Sequence, residues 1–151
     1  MQCVIFIGIQ ASGKSTFFRE NFFATHMRIN LDMLKTRNRE NIYLDASIKA
    51  VQPFVIDNTN PTARDRQKYI ALARANRFEV IGYYFEPNYE ESIRRNGTRT
   101  GKAKIPDIGI KSVLAQLEPP TYGEGFDKLY RVYAENGEFV VNEFDNPVAN
   151  S

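Results

Sequence analysis

The chain has 151 residues, enough for one domain with a real core but too few for a motor ATPase with a lid domain. Its 42% hydrophobic and 25% charged residues are ordinary for a globular protein, and the net charge of +2 is too slight to indicate a nucleic-acid partner, so any basic patch must be local. The single cysteine excludes an internal disulfide and a cysteine-based zinc site, and fits a reducing cytoplasm.

Cys3-Val4-Ile5-Phe6-Ile7 is an apolar run of buried-strand character, within which Cys3 reads as an inert core thiol. It leads into Gly8-Ile9-Gln10-Ala11-Ser12-Gly13-Lys14-Ser15, a complete G-x-x-x-x-G-K-[ST] phosphate-binding loop. The apolar N-terminus is too short for a signal peptide, and no stretch approaches membrane-spanning length. Gly8 and Gly13 let the backbone turn tightly, so that the N–H groups through Gln10, Ala11, Ser12 and Thr16 wrap the phosphates of ATP or another NTP. Lys14 adds a positive charge on the β- and γ-phosphates, and the Ser15 hydroxyl is the expected Mg²⁺ ligand. Ser15 to Glu20 then opens a helix whose positive N-terminus faces the anion.

His26 to Asn30 has the form of a short second strand ending at Leu31-Asp32, and His26 reads as structural. Residues 40–52 have helical composition with Ile42, Leu44, Ile48 and Val51 as apolar members, and Pro53 stops them. Phe54-Val55-Ile56 is a third strand running into Asp57-Asn58-Thr59-Asn60. Asn60 as N-cap and Pro61 at the first helical position start a helix to about Asn76. Phe78 to Phe85 is a long strand, closed by Pro87, in which Tyr83, Tyr84 and Phe85 read as core. A charged helix, a basic stretch and a helix from Pro106 to Glu118 follow, and Pro119-Pro120 breaks the last. Leu129 to Tyr133 and Glu138 to Val141 are strands flanking a turn at Glu135-Asn136-Gly137, and the last residues are expected to fray. Strands alternating with helices predict an α/β three-layer fold, a parallel sheet with helices on both faces, in a single domain over 1–151.

Ligands of such sheets bind at the carboxyl ends of the strands, where the phosphate loop, Asp32 and Asp57 converge. Phosphoryl transfer needs a phosphate cradle, a metal, a proton acceptor and positive charge over the transferring group. Asp32 is the candidate base, or only the N-cap of the next helix. Asp57 has the form of a Walker B acid that holds or orients the metal, or is a turn-forming residue. Asn58, Thr59 and Asn60 either contact substrate or build the turn. Arg94-Arg95-Asn96-Gly97-Thr98-Arg99-Thr100-Gly101-Lys102-Ala103-Lys104 holds five basic residues, two glycines and no acid. It predicts a mobile basic lid, about residues 91–118, that brings arginines to the developing charge. Tyr43, Tyr69 and Tyr122 are free to stack on a base as far as the sequence shows.

The same residues resemble the kinase domain of polynucleotide 5′-hydroxyl kinases, of the phage and animal type. The resemblance covers about residues 3 to 133. It rests on the phosphate loop, Asn30-Leu31-Asp32, Val55 to Pro61, Arg95-Asn96 with Arg99, and Glu118-Pro119-Pro120-Thr121 with Glu124-Gly125-Phe126. It implies ATP-dependent transfer to the 5′-OH of a DNA or RNA strand, with Asp32 as general base, Asp57 as an acceptor-site acid and Arg99 as the lid arginine, Arg95 being the weaker match. It places Pro119 to Phe126 near the nucleoside of ATP. The family commonly has arginine three residues after the base to grip an acceptor phosphate. Here Lys35 keeps the charge without the bidentate fork, and Arg37 or Arg39 stands nearby to compensate. No D-x-D-x-T phosphatase motif occurs, so 3′-phosphatase activity is not expected. The rival readings are a small-molecule P-loop kinase and a nucleotide-binding switch. A GTPase is disfavoured because no Asn-Lys-x-Asp motif occurs.

Overall fold

The computed structural model describes residues 1–101 and 104–145, so Lys102 of the basic run and the chain end expected to fray lie outside the described residues. Six strands, β1 Gln2–Ile7, β2 Met27–Ile29, β3 Phe54–Ile56, β4 Glu79–Phe85, β5 Lys128–Glu135 and β6 Glu138–Glu143, form one sheet in the order β2-β3-β1-β4-β5-β6. The first five are parallel. β6 returns antiparallel to β5 through Asn136 and Gly137, whose φ of 52° and 78° make a two-residue primed turn. Among the described residues six α-helices accompany them: α1 Lys14–Asn21, α2 Leu31–Leu34, α3 Arg37–Ala50, α4 Ala63–Ala75, α5 Tyr89–Gly97 and α6 Asp107–Gln116.

Strand alternation divides the core into two layers. Val4, Phe6, Val55, Ile81 and Phe85 face Phe17, Phe18 and Phe22 of the α1 segment. Cys3, Ile5, Ile7, Ile29 and Ile56 face Leu44 of α3 and Tyr69, Ile70 and Ala73 of α4. This is the three-layer α/β arrangement read from the sequence, a P-loop kinase fold. α1 is seated by aromatic edges: the Phe17 ring lies 5.8 Å from Phe6, 5.4 Å from Phe85 and 5.3 Å from Phe139. Such pairs contribute about 0.5–1.5 kcal/mol each beyond area burial, which holds the start of α1 over the carboxyl edge of the sheet.

Several local expectations are corrected. Thr62, not Asn60, caps α4, in a capping box with Asp65. Asn60 is buried, has φ 45°, and its amide donates to the Phe6 carbonyl of β1 at 2.8 Å. Asn30, not Asp32, caps α2, accepting from Met33 N at 3.0 Å. α3 begins at Arg37, and Glu40, Leu44 and Ser47 form its buried face, while Ile42 and Val51 are exposed. Tyr69 is core, Tyr43 is exposed, and the Tyr122 hydroxyl donates to the Phe144 carbonyl at 3.0 Å.

Candidate active site

The phosphate loop is held from three directions. Gly8 N donates to the Thr59 carbonyl at 3.0 Å, and a Cβ on Gly8 would lie 2.9 Å from Phe85 Cβ, so only glycine passes between the two strands. Ala11 and Gly13 turn the loop through left-handed φ of 57° and 96°. Ser92 of α5, itself buried, donates its hydroxyl to the Ala11 carbonyl at 3.3 Å. Gly13 provides no side-chain cap to α1, so the first-turn N–H groups, which lack intrahelical partners at every helix start, keep their capacity for an anion. Lys14 is buried and donates to the Gly8 and Ile9 carbonyls at 3.0 and 2.6 Å. Burial, aided by the nearby Arg99 charge and opposed by Asp57 and Asp32, pushes its pKa down to about 8.

Beside the loop lies a cleft of about 440 Å³ lined by Gln10, Ala11, Gly13, Lys14, Ser15, Thr16, Asp32, Asp57, Asn58, Thr59 and Arg99. The structure thus brings together the candidate base Asp32, the second strand-end acid Asp57, the loop lysine and Arg99 of the expected lid, which lie far apart in the sequence. Asp32 stands on the first turn of α2, exposed, and no hydrogen bond or ion pair engages its carboxylate among the described residues. Ser15 is exposed, and its hydroxyl donates to Asp57 Oδ2 at 3.4 Å. The acid itself is 2% exposed. These two contribute oxygen donors only, which suits a hard cation such as Mg²⁺ held largely by phosphates and water. Among the described residues no cluster of three or more His, Cys, Asp or Glu could cage a metal.

The D-N-T-N segment acts chiefly as a latch. Asn30 Nδ2 donates to the Asp57 carbonyl at 2.5 Å, and Asn58 Oδ1 accepts from Leu31 N at 2.9 Å, which fixes the start of the helix carrying Asp32. The Asn58 amide in turn donates to Glu40 Oε2 at 3.1 Å. Glu40 is fully buried and also receives Lys68 at 2.7 Å, the Tyr69 hydroxyl at 3.0 Å and Arg37 at 3.1 Å. Burial pushes its carboxyl up, but the Lys68 bond and charge, with Tyr69 and Arg37, outweigh burial and hold it below the usual carboxylate range. Arg37 is therefore occupied structurally, and Arg39 donates to the Leu34 carbonyl at 3.4 Å.

The segment expected to form a lid holds most of α5 and all of α6. Asn96 of α5, fully buried, ties the chain before α6 to it: its Oδ1 accepts from Ile105 N at 2.8 Å and its amide donates to the Ile105 carbonyl. The basic run is partly compensated, because Glu91 one turn upstream takes Arg94 at 2.5 Å and Arg95 at 3.2 Å. Arg95 lines not the 440 Å³ cleft but two neighbours, one of about 970 Å³ and one of about 230 Å³, between α5, the loop and the β5–β6 turn. Lys35 is exposed at the end of α2 and lines none of the three clefts. Pro119 to Phe126, expected beside the nucleoside, is held on α4: Glu124 pairs with the buried Arg66 at 2.7 Å, and Arg74 donates to the Gly125 carbonyl at 3.1 Å. Sequence reasoning missed Arg28, whose Nε donates to Asp57 Oδ2 at 2.8 Å, and it missed Glu40. Neither belongs to a motif, and only the strand register and the packing of α3 reveal them.

Sheet order, loop and cleft define a nucleotide-binding P-loop domain of the kinase fold. Residues 3–120 match the family model described as AAA domain, and the chain belongs to that family. It is 28% identical over 136 residues to a bifunctional polynucleotide phosphatase/kinase of Schizosaccharomyces pombe, covering 87% of this chain and 33% of that protein. A putative bifunctional polynucleotide phosphatase/kinase of Acanthamoeba polyphaga mimivirus is 27% identical over 139 residues, with the same shares covered. The chain spans about a third of the length of these curated relatives. A gluconokinase from Sinorhizobium meliloti 1021 has the same fold, with a TM-score of 0.59 at 18% identity over 87% of this chain and 82% of that one. Among the described residues no helix is long and apolar enough to cross a membrane.

Proposed function

We propose that the chain is an ATP-dependent kinase that phosphorylates the 5′-OH of a DNA or RNA strand. The observation that carries this reading is the meeting of Lys14, Ser15, Asp32 and Arg99 on one cleft at the carboxyl edge of the sheet. The kinase names of the two curated relatives support the acceptor class. In the reaction the 5′-oxygen attacks the γ-phosphorus in line, the bond to the β,γ-bridging oxygen breaks, and the hydroxyl proton passes to the Asp32 carboxylate. Lys14 holds the β- and γ-phosphates, and Arg99 meets charge that develops on the transferring group. Ser15 and Asp57 would hold Mg²⁺, which supplies charge neutralisation on the phosphates. The contact between Asp57 and Ser15 favours this metal-side role over an acceptor-site role for the acid. Thr59 lines the acceptor side of the cleft, whereas Asn58 and Asn60 spend their side chains on the latch.

One observation favours a small-molecule acceptor: Lys35, in the place of the family's phosphate-gripping arginine, does not line the cleft. The two readings separate in one assay. γ-Labelled ATP and Mg²⁺ are supplied with 5′-OH DNA and RNA oligonucleotides and, in parallel, with sugars, gluconate and nucleosides. Label at the 5′ end of an oligonucleotide is expected. Label confined to a small molecule would replace the polynucleotide reading.

A further inference from the structure

Arg28 carries no part of the reaction just described, yet its guanidinium spans the two residues assigned to the metal. The register explains how. Arg28 of β2 pairs with Val55 of β3, so the two share the sheet face that α1 covers, and Asp57, two residues beyond Val55, points to the same side. The start of α1 brings Ser15 over that face. Arg28 Nε donates to Asp57 Oδ2 at 2.8 Å, and Nη2 donates to Ser15 Oγ at 3.0 Å. The guanidinium also sits 6.0 Å from the centre of the Phe18 ring, which limits its freedom.

The hydrogen-bond count at Ser15 is informative. A hydroxyl has one proton and two lone pairs. The proton goes to Asp57 and one lone pair receives Arg28, which leaves one lone pair for a cation. Charge works the other way. Arg28 neutralises the buried Asp57 carboxylate, and Lys14 and Arg99 outweigh the Asp32 carboxylate on the same cleft, so a free divalent cation meets no net negative charge there. A bound triphosphate reverses that sign.

We propose that Arg28 is a positioning residue that preassembles Ser15 and Asp57 and keeps free divalent cations off the pair until a nucleoside triphosphate brings the metal in. This rests on the metal-side reading of Ser15 and Asp57. The test is titration with Mn²⁺, read by its electron paramagnetic resonance signal, with and without a non-hydrolysable ATP analogue. Wild type is expected to bind Mn²⁺ weakly alone and tightly with the analogue. Arg28→Gln is expected to bind Mn²⁺ without nucleotide on the order of tenfold tighter, because one unit charge is removed next to the site. Arg28→Lys keeps the charge and guards against a folding failure of the Gln variant. It leaves nucleotide-free binding weak but loosens Mn²⁺ in the analogue complex, since the two-point grip is lost. Equal nucleotide-free affinities in wild type and Arg28→Gln, with tight binding in the analogue complex, would overturn the role of Arg28 alone. An Arg28→Lys analogue complex as tight as wild type would overturn the preassembly half. Failure of the wild-type analogue complex to bind Mn²⁺ would overturn the proposal together with the metal reading.

Discussion

At the residue scale, the titration of Lys14 has a visible sign. Burial lowers its pKa to about 8, so below that pH the free protein carries the charge that a triphosphate needs. Above pH 8 binding requires proton uptake, and affinity for an ATP analogue should fall by up to about tenfold per pH unit until the bound-state pKa is reached. Calorimetric titration between pH 7 and 9.5 checks this, and Lys14→Ala should bind weakly with no such slope. The same shift acts oppositely on stability. Between about 8 and the ordinary 10.5 the unfolded chain holds a proton that the folded chain lacks, so this group's contribution to stability rises with pH. Arg99→Ala should lower kcat by a factor on the order of 10³, as loss of a charge-stabilising arginine does elsewhere, and a change confined to KM would make Arg99 a binding residue only. Lys14, Ser15, Asp32 and Asp57, which line one cleft, were legible in the sequence because each sits in a motif or at a strand end, and Arg99, on the same cleft, was singled out by the basic run and the family resemblance. Arg28 and Glu40 were not, since their roles depend on which strand lies beside β3 and which face of α3 turns inward.

At the element scale, the loop between β1 and α1 is where substitution is least tolerated. Gly8→Ala would set a methyl 2.9 Å from Phe85 Cβ and 3.2 Å from Ser12 Oγ. The expected cost is about 1–3 kcal/mol of stability, with a loss of nucleotide affinity as the loop shifts. Thermal denaturation with and without ATP analogue separates the two effects. The caps show why local reading partly failed. Asn60-Pro61 has the composition of a helix start, but Phe6 of β1 captures the Asn60 amide, and the helix begins after Thr62 instead. The segment 119–126 has a structural task that the sequence does not announce: its Glu124 satisfies the buried Arg66 of α4. In both places a side chain answers a long-range demand that its neighbours in sequence do not announce.

At the scale of the whole molecule, the aromatic seat of α1 ties the phosphate loop to the sheet. Phe17→Ala would empty a buried site shared by Phe6, Phe85 and Phe139, at a cost of about 3–5 kcal/mol. A fall in Tm on the order of 10 °C is expected in a calorimetric scan, for a chain of this size. The alternation of strands and helices made the layered fold legible from the sequence. The strand order was not, because β1 lies between β3 and β4, and that placement sets Asp57 beside the loop. The measurement that tests the account most directly is transfer of γ-labelled phosphate to a 5′-OH oligonucleotide by wild type and Asp32→Asn, with ATP-analogue affinity measured on both. The account predicts labelled 5′ ends with wild type, none with the variant, and similar affinities in the two. Transfer by Asp32→Asn at the wild-type rate would contradict Asp32 as the base.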